Sequence, residues 1–186
     1  AARLRWLNKE HMKKLGEDKI FDGVVAHIPE EIKNLPQWSE KRLRRSIKTL
    51  FERIEVFADI ARMNESEELR YLFAAPEYKN TEKLISQKMD IGKAGEARTH
   101  IQNLISMLSS VAPERFNEEE TKKTVWEYAT EKGRGAVLWP MRYALSGCDK
   151  SPDPFTLAGI LEKDETLARL ETARQALQGL TTQSPE

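Results

Sequence analysis

The sequence predicts an all-α protein built from two packed helical subdomains. Apolar residues recur at the spacing of one helical face along most of the chain, and no segment shows the strict alternation of a half-buried strand. Pro76, Gly92 and Gly95 interrupt this pattern, and a polar run lies between them. We therefore expect the chain to divide in this region, with one subdomain over residues 17–90 and the other over residues 91–186.

Residues 40–60 carry the clearest helical pattern. Their apolar positions form one stripe: Leu43, Ile47, Leu50, Ile54 and Phe57. Ser39 precedes this run and is the expected N-cap residue. A short helix is expected next, through Leu69, Leu72 and Phe73. Asn64 or Ser66 would cap its start, and Pro76 would follow its end.

The second half of the chain contains three further helical patterns. The first follows Gly95, ends at Pro113 and carries Ile101, Leu104, Ile105 and Leu108. The second begins at Asn117, which forms a capping-box pattern with Glu120, and it ends at Gly133 and Gly135. Pro154 suits the first turn of a helix, and a last helix is expected from Leu161 to Leu177.

Composition excludes several classes of protein. Thirty basic and thirty acidic residues cancel, which argues against an indiscriminate polyanion binder but allows a local basic patch. The single cysteine, Cys148, excludes an internal disulfide, and the three histidines form no metal-binding motif. No apolar run is long enough to cross a bilayer, and no signal peptide is recognisable. We expect a soluble protein of a reducing compartment, with no metal and no membrane partner.

No catalytic motif is present in the sequence. Neither a GxGxxG nor a GxxxxGK(S/T) phosphate loop occurs, and no serine, cysteine or lysine lies in a recognisable nucleophile motif. The acidic run Glu118–Glu120 is typical of a solvated first helical turn. We therefore expect no catalytic residues and no cofactor in this chain.

Two arginine patterns are candidates for a binding function. In the segment GAVLWPMRYALSGCDKSPDPF (Gly135–Phe155), Arg142 interrupts an apolar helix, where an unpaired guanidinium costs stability unless an outside group uses it. The alternative is a buried ion pair with Asp149 or Asp153. Farther upstream, one helix carries a basic cluster without an intervening acid: Lys41, Arg42, Arg44, Arg45 and Lys48. This cluster is either a contact surface for nucleic-acid phosphates or a solvated helix face.

The segment Gly135–Phe155 resembles the signature of the anticodon-binding domain of bacterial-type glutamyl-tRNA synthetases. The following sequence, FTLAGILEKDETLARL (Phe155–Leu170), resembles the end of that signature, and Leu4–Leu15 resembles the segment that follows the catalytic half in this family. The resemblance thus covers most of the chain, from Leu4 to Leu170. It implies a helical-cage fold in the C-terminal part of a longer enzyme, whose missing catalytic half would bind ATP and Mg²⁺. Residues 1–16 would end the stem-contact region.

The resemblance also implies roles for single residues. Arg142 and the turn Ser151–Pro152 would hold the first anticodon base, while Phe155 would either stack on a base or pack in the core. Arg53 ends a span (Arg42–Arg53) similar to a family helix whose final arginine helps to read the third anticodon base. A surface salt bridge of Arg53 with Glu52 or Glu55 is the alternative. The stem-contact residues would be Arg5 and Trp6.

The expected partner is glutamate tRNA, bound by a monomer in the cytoplasm or an organellar matrix, with no DNA partner. Two alternatives are left open by the sequence. One is a stand-alone helical interaction or scaffold protein, and the other is the anticodon domain of a synthetase that charges both glutamate and glutamine tRNAs. This chain alone is expected to catalyse no aminoacylation.

Overall fold

The computed structural model describes the backbone of residues 2–181 and the side chains of residues 7–181, and all regular structure in this range is helical. The α-helices are α1 (Ala2–Lys13), α2 (Glu17–His27), α3 (Glu30–Lys33), α4 (Glu40–Arg53), α5 (Asp59–Glu65), α6 (Arg70–Phe73), α7 (Ala94–Ser109), α8 (Glu118–Lys132), α9 (Arg134–Ser146) and α10 (Pro154–Thr181). Short 3-10 helices lie at Thr81–Leu84, Ile91–Lys93 and Pro113–Arg115. The predicted all-α class is confirmed. None of these helices is long and apolar enough to cross a membrane.

The chain forms two compact units, one up to Ala74 and one from Ala75 onward. Residues 75–90, which the sequence analysis placed in the first subdomain, therefore belong to the second unit. Tertiary contacts hold these residues in the second unit, and the neighbouring sequence does not indicate them. The Tyr78 hydroxyl donates to the backbone carbonyl of Ala144 at 2.8 Å, and Leu84 is fully buried.

In the first unit, α4 starts as predicted and ends earlier than predicted. The Ser39 hydroxyl accepts the backbone N–H of Arg42 at 3.1 Å, which confirms the N-cap. The helix stops at Arg53, and Ile54 is extended. The Asp59 carboxylate accepts the backbone N–H groups of Glu55 and Val56 at 2.8 and 3.1 Å. These hydrogen bonds stabilise the turn that follows α4.

The helix that follows this turn, α5, was not predicted. Asn64 lies inside it, and Ser66 is the C-cap residue directly after it rather than the N-cap of the next helix. The Ser66 hydroxyl donates back to the carbonyl of Met63 at 3.1 Å. Glu67 then has a φ of +60°, a left-handed conformation that separates α5 from α6. The predicted capping role of Asn64 or Ser66 was therefore wrong.

The second unit packs α7, α8, α9 and α10 around one core. Asn117 caps α8 as predicted, because its side-chain oxygen accepts the N–H of Glu120 at 2.9 Å. The reciprocal half of the capping box is replaced by an ion pair of Glu120 with Arg115 at 3.0 Å. Gly133, with a φ of +97°, separates α8 from α9, whereas Gly135 lies inside α9.

The last helix differs from the prediction at its start. Pro154 is the first residue of α10, as expected, and Asp153 accepts the N–H groups of Phe155 and Thr156. The helical segment then runs to Thr181 and is broken once, at Glu162, which has a φ of +64°. Leu161 therefore ends the first part of α10 instead of starting a separate helix.

We expect Gly147→Ala to destabilise the second unit by about 1–2 kcal/mol, because Gly147 ends α9 with a left-handed φ of +65°. A Cβ atom at this position would also lie 2.8 Å from the Cβ of Pro76. Gly95→Ala is the matched control, since its Cβ would meet no atom within 4 Å, and a helical alanine there should be neutral or slightly stabilising. Urea unfolding of both variants measures the difference. Equal stability of the two variants would contradict a strained turn at Gly147.

Candidate nucleic-acid interface

Arg142 lies half-buried near the end of α9, and its guanidinium is only partly used by the protein. Its Nη1 donates to the carbonyl oxygens of Asp149 at 2.9 Å and Ser151 at 3.4 Å, and to the Ser151 hydroxyl at 3.3 Å. Its guanidinium carbon stands 4.7 Å from the centre of the Trp139 ring, within the range of a cation–π contact. Across the described residues, Nε and Nη2 of Arg142 have no hydrogen-bond partner. The arginine is therefore oriented by one nitrogen while its other N–H groups stay available.

The buried ion pair considered for Arg142 is not formed. The Asp149 carboxylate instead pairs with the Lys83 amine at 2.5 Å, and this hydrogen bond raises the pKa of Lys83 above its ordinary value. The Asp153 carboxylate is engaged at the start of α10, where it also accepts the Thr156 hydroxyl at 2.6 Å. Both acids that could have neutralised Arg142 are thus committed elsewhere.

The turn next to Arg142 is organised by Ser146, which the sequence analysis did not include among the candidate site residues. Its buried hydroxyl donates to the carbonyl of Arg142 at 2.9 Å, accepts the N–H of Cys148 at 3.2 Å, and lies 3.1 Å from the Ser151 hydroxyl. Ser146 therefore ties the helix end to the predicted Ser151–Pro152 turn. Its position directly before Gly147, with a second serine downstream, is the only sequence signal for this role.

The buried guanidinium of Arg169 stabilises the end of α9. Arg169, 2% exposed, donates to the carbonyl of Leu145 at 2.6 Å and forms an ion pair with Glu165 at 2.6 Å. The Tyr78 hydroxyl occupies the neighbouring carbonyl of Ala144, and burial raises the pKa of Tyr78. The last carbonyls of a helix have no intrahelical partner, so these two side chains satisfy groups that would otherwise be buried unpaired. They hold the helix turn that carries Arg142.

Phe155 and Pro152 occupy different environments near this turn. Phe155 is 3% exposed, and its ring packs against Trp126 with the ring centres 6.4 Å apart. Of the two roles that the sequence left open for Phe155, this burial favours core packing over stacking on a base. Pro152 is half-buried, beside the Ser151 oxygens that receive Arg142.

Arg53 lies in the first unit, at the last position of α4. Its guanidinium pairs with Glu68, and its Nη1 lies 3.5 Å from the Tyr71 hydroxyl. The surface salt bridge expected as an alternative thus exists, but with Glu68 rather than with Glu52 or Glu55. The Arg53 side chain remains 28% exposed, on an open cleft of about 380 Å³ that Arg62 also lines.

The basic cluster on α4 forms one surface stripe. Four of its five residues are spaced i, i+3, i+4 and i+7 and lie opposite the buried face: Lys41, Arg44, Arg45 and Lys48. Arg44 lies over the Phe21 ring at 3.9 Å and is 3.6 Å from the exposed Asp18 carboxylate. Arg42 differs from them, because it donates to Gln37 at 2.9 Å and to the carbonyl of Leu72 at 3.4 Å. The predicted stem-contact side chains, Arg5 and Trp6, lie outside the described side chains.

Comparison with known proteins gives this arrangement a family. Residues 10–174 match the family described as "Anticodon binding domain". The chain is 31% identical over 180 residues to a glutamate–tRNA ligase of Clostridium kluyveri, covering 91% of this chain and 33% of that protein. It is 25% identical over 187 residues to the glutamate–tRNA ligase of Clostridium acetobutylicum, covering 95% of this chain and 34% of that protein.

A solved structure shows the same helical arrangement. The crystal structure of a glutamate tRNA ligase from Elizabethkingia meningosepticum, in complex with its amino acid, matches with a TM-score of 0.69 and 26% identity. The match covers 95% of this chain and 32% of that chain, so the sequence spans about a third of the length of these relatives.

By its structure the chain is an all-α domain that carries exposed arginines on α4 and α9. The matches identify the family within this class. They cover nearly the whole sequence, and they are to an anticodon-binding domain and to glutamate–tRNA ligases. The chain belongs to the anticodon-binding domain family, and the relatives that it matches are glutamate–tRNA ligases.

Proposed function

We propose that this chain is the part of a glutamate–tRNA ligase that recognises the anticodon arm of tRNA(Glu). The observation that carries the proposal is the state of Arg142, whose Nη1 is held by the turn while Nε and Nη2 have no partner among the described residues. A guanidinium fixed in this way presents N–H donors in a rigid geometry to a planar acceptor. The edge of an unpaired base in an RNA loop is such an acceptor.

The first anticodon base is the proposed target of Arg142. The Trp139 ring supports one side of the guanidinium, and the Ser151–Pro152 turn supplies the facing wall. The Arg142 side chain is already ordered in the free protein, because Nη1 has three acceptors there. Binding of RNA therefore costs little further side-chain conformational entropy. Binding energy can then go to reading the base.

Arg53 is the proposed reader of the third anticodon base, and its pairing with Glu68 predicts a weaker effect there. Its positive charge is already neutralised in the free protein, so a base must compete with Glu68 for the guanidinium. We expect changes of the third base to alter binding less than changes of the first. Equal selection at the third base would favour a ligase that discriminates strictly between glutamate and glutamine tRNAs.

In the whole enzyme, anticodon binding would position the acceptor end of the tRNA at the catalytic half, where ATP, Mg²⁺ and glutamate react. The family relationship supports this division of labour. We also propose that the enzyme acts as a monomer in the cytoplasm or an organellar matrix. The lysine and arginine stripe on α4 would contact the tRNA backbone and would fix the register of the anticodon without reading sequence.

A gel-shift measurement tests the proposed function. The 186-residue chain is titrated with unmodified glutamate tRNA and with the same tRNA carrying a swapped anticodon, each at two salt concentrations. We expect preference for the native anticodon at both concentrations and weaker binding of both tRNAs at the higher one. A stand-alone scaffold protein would show no anticodon dependence at either salt concentration.

The basic stripe gives a separate prediction. Replacing Arg44 and Arg45 together with alanine should weaken binding to every tRNA similarly and reduce the slope of log K against log salt by about 2, roughly one per lost phosphate contact. The matched control replaces Lys122 and Lys123 on α8, an adjacent basic pair that is exposed, and should leave the slope nearly unchanged. A changed preference among anticodons in the Arg44/Arg45 variant would contradict a purely positioning role.

A further inference from the structure

The side-chain amine of Lys9, on α1, contacts the end of α4. Its Nζ donates to the backbone carbonyl of Phe51 and to that of Ile54, the latter at 2.6 Å. Nζ also lies 4.1 Å from the centre of the Phe51 ring, which is a cation–π distance. One amine thus makes three contacts with residues 51–54, although it precedes Phe51 by 42 positions in the sequence.

The two carbonyls that Lys9 contacts lie where an α-helix leaves its carbonyl groups without intrahelical partners. Phe51 is in the last turn of α4, and Ile54 is its C-cap residue. Lysine side chains near this end of a helix can hydrogen-bond the last carbonyls, and their charge interacts favourably with the helix dipole. Since helix ends tend to fray, these bonds stabilise the last turn of α4.

Arg53, the last residue of α4, lies between the two carbonyls that receive the amine. Lys9 hydrogen-bonds the carbonyl two residues before Arg53 and the carbonyl directly after it. Farther on, the Asp59 carboxylate accepts the N–H groups of Glu55 and Val56. The backbone on both sides of Arg53 is therefore held by side chains, and this fixes the point from which its guanidinium extends.

The charge of Lys9 is used within the protein. The side chain is partly buried, and burial, followed by the charge of Lys13, lowers the pKa of Lys9 below its ordinary value. The nearby carboxylates of Glu52 and Glu55 act in the opposite direction and attract the amine. An amine that donates to two carbonyls beside two carboxylates is a poor contact for an RNA phosphate. An effect of Lys9 on RNA binding should therefore act through α4.

We infer that Lys9 is a positioning residue for selection of the third anticodon base: by stabilising the end of α4, it sets the orientation of Arg53 toward that base. The inference rests on the proposed function for the base that Arg53 contacts. It gives α1 a role in anticodon recognition that needs no contact between Lys9 and the RNA.

NMR signals of arginine Nε–H groups test the effect of Lys9 on Arg53 in the free protein. The Arg53 signal is assigned as the one that is lost in Arg53→Gln. Lys9→Met removes the amine and keeps an unbranched side chain with good helix propensity, so α1 should stay folded. We expect this change to shift or broaden the Arg53 signal. Lys13→Met is the matched control, because Lys13 is an exposed residue of α1 that pairs with Glu10 at 2.7 Å, and it should leave the signal unchanged.

Gel shifts test the effect on base selection. The 186-residue chain and its variants are titrated with glutamate tRNA, native or altered at the first or the third anticodon base. Lys9→Met should lower the preference for the native third base about two- to fivefold, which corresponds to the loss of about one hydrogen bond. The first-base preference, assigned to Arg142 in the second unit, should be unchanged.

Two further variants separate positioning from a general loss of stability. In an Arg53→Gln background, Lys9→Met should cause no further change of third-base preference, because the residue through which it acts is gone. Lys9→Arg keeps a cationic donor at this position and should bring the third-base preference to within about twofold of the parent value.

Three results would overturn the inference: an unchanged Arg53 signal in Lys9→Met, an unchanged third-base preference in that variant, or equal weakening of every tRNA, which would make Lys9 a phosphate contact. Failure of the proposed function is recognised separately, in the parent chain. First-base preference without any effect of Lys9 on the third base would reject the inference alone. A parent chain without anticodon dependence would reject the proposed function and, with it, the role of Lys9 in base selection.

Discussion

Replacing Arg142 with glutamine is expected to remove about 1–3 kcal/mol of preference for the native first anticodon base, the usual value of a side chain that reads a base edge. Binding to tRNA with the native base should fall, and binding to tRNA altered at that base should change little. Because no carboxylate of the described residues pairs with Arg142, its removal leaves no buried charge behind. We expect the free energy of unfolding to change by only about 1 kcal/mol or less.

The control for this variant is Arg134→Gln. Arg134 is also on α9, and its guanidinium carbon lies over a tryptophan ring, that of Trp126, at 4.5 Å. The Arg134→Gln change removes the same charge and the same kind of stacking contact as Arg142→Gln, but at an exposed site away from the turn. Ser151→Ala should show a smaller loss of base preference, since Ser151 supplies one of the acceptors that orient Arg142. A large loss of stability with unchanged base preference in Arg142→Gln would contradict the assigned role.

Replacing Arg169 with methionine is expected to destabilise the second unit by about 3–5 kcal/mol, because one partner of a buried ion pair is removed and the other remains. The change leaves the Glu165 carboxylate without its cation and the carbonyl of Leu145 without its donor. Thermal or urea unfolding measures the loss. Anticodon preference should weaken in parallel, since the end of α9 carries Arg142.

Arg174→Met is the matched control on the same helix. Arg174 pairs with Glu171 at 2.6 Å on the surface, and this pairing lowers the pKa of Glu171 to about 2. Exposed pairs of this kind contribute about 0–1 kcal/mol, so this variant should be nearly as stable as the parent chain. Similar stabilities of the Arg169 and Arg174 variants would show that Arg169 does not hold the end of α9.

The sequence predicted correctly those features of the fold that are determined by residues close together in the chain. The caps at Ser39 and Asn117, the proline start of α10 and the glycine end of α8 each depend on residues a few positions apart. The early end of α4 was missed because the Asp59 carboxylate satisfies its turn, and an aspartate in a helical pattern carries no such signal. Helix α5, which begins at Asp59, was missed for the same reason.

The sequence named the residues of the candidate site but did not indicate the contacts that each of them makes. The position of Arg142 on a helix beside a Ser-Pro turn followed from the sequence. Its partners did not follow, because they are backbone carbonyls, which every residue has. Arg53 was expected to pair within its own segment and instead meets Glu68, which is brought near by the unpredicted α5 and the left-handed Glu67. Contacts of this kind depend on the folded chain rather than on spacing.

Footprinting of full-length glutamate tRNA with this chain tests the central claim most directly. A single-strand-specific nuclease or base-modifying reagent reports each nucleotide of the tRNA, free and bound. The account predicts protection concentrated on the anticodon loop, with the first anticodon base losing its protection in the Arg142→Gln variant and keeping it in Arg134→Gln. Protection spread evenly along the stems, or an anticodon loop that stays fully reactive at saturating protein, would contradict anticodon recognition by this domain.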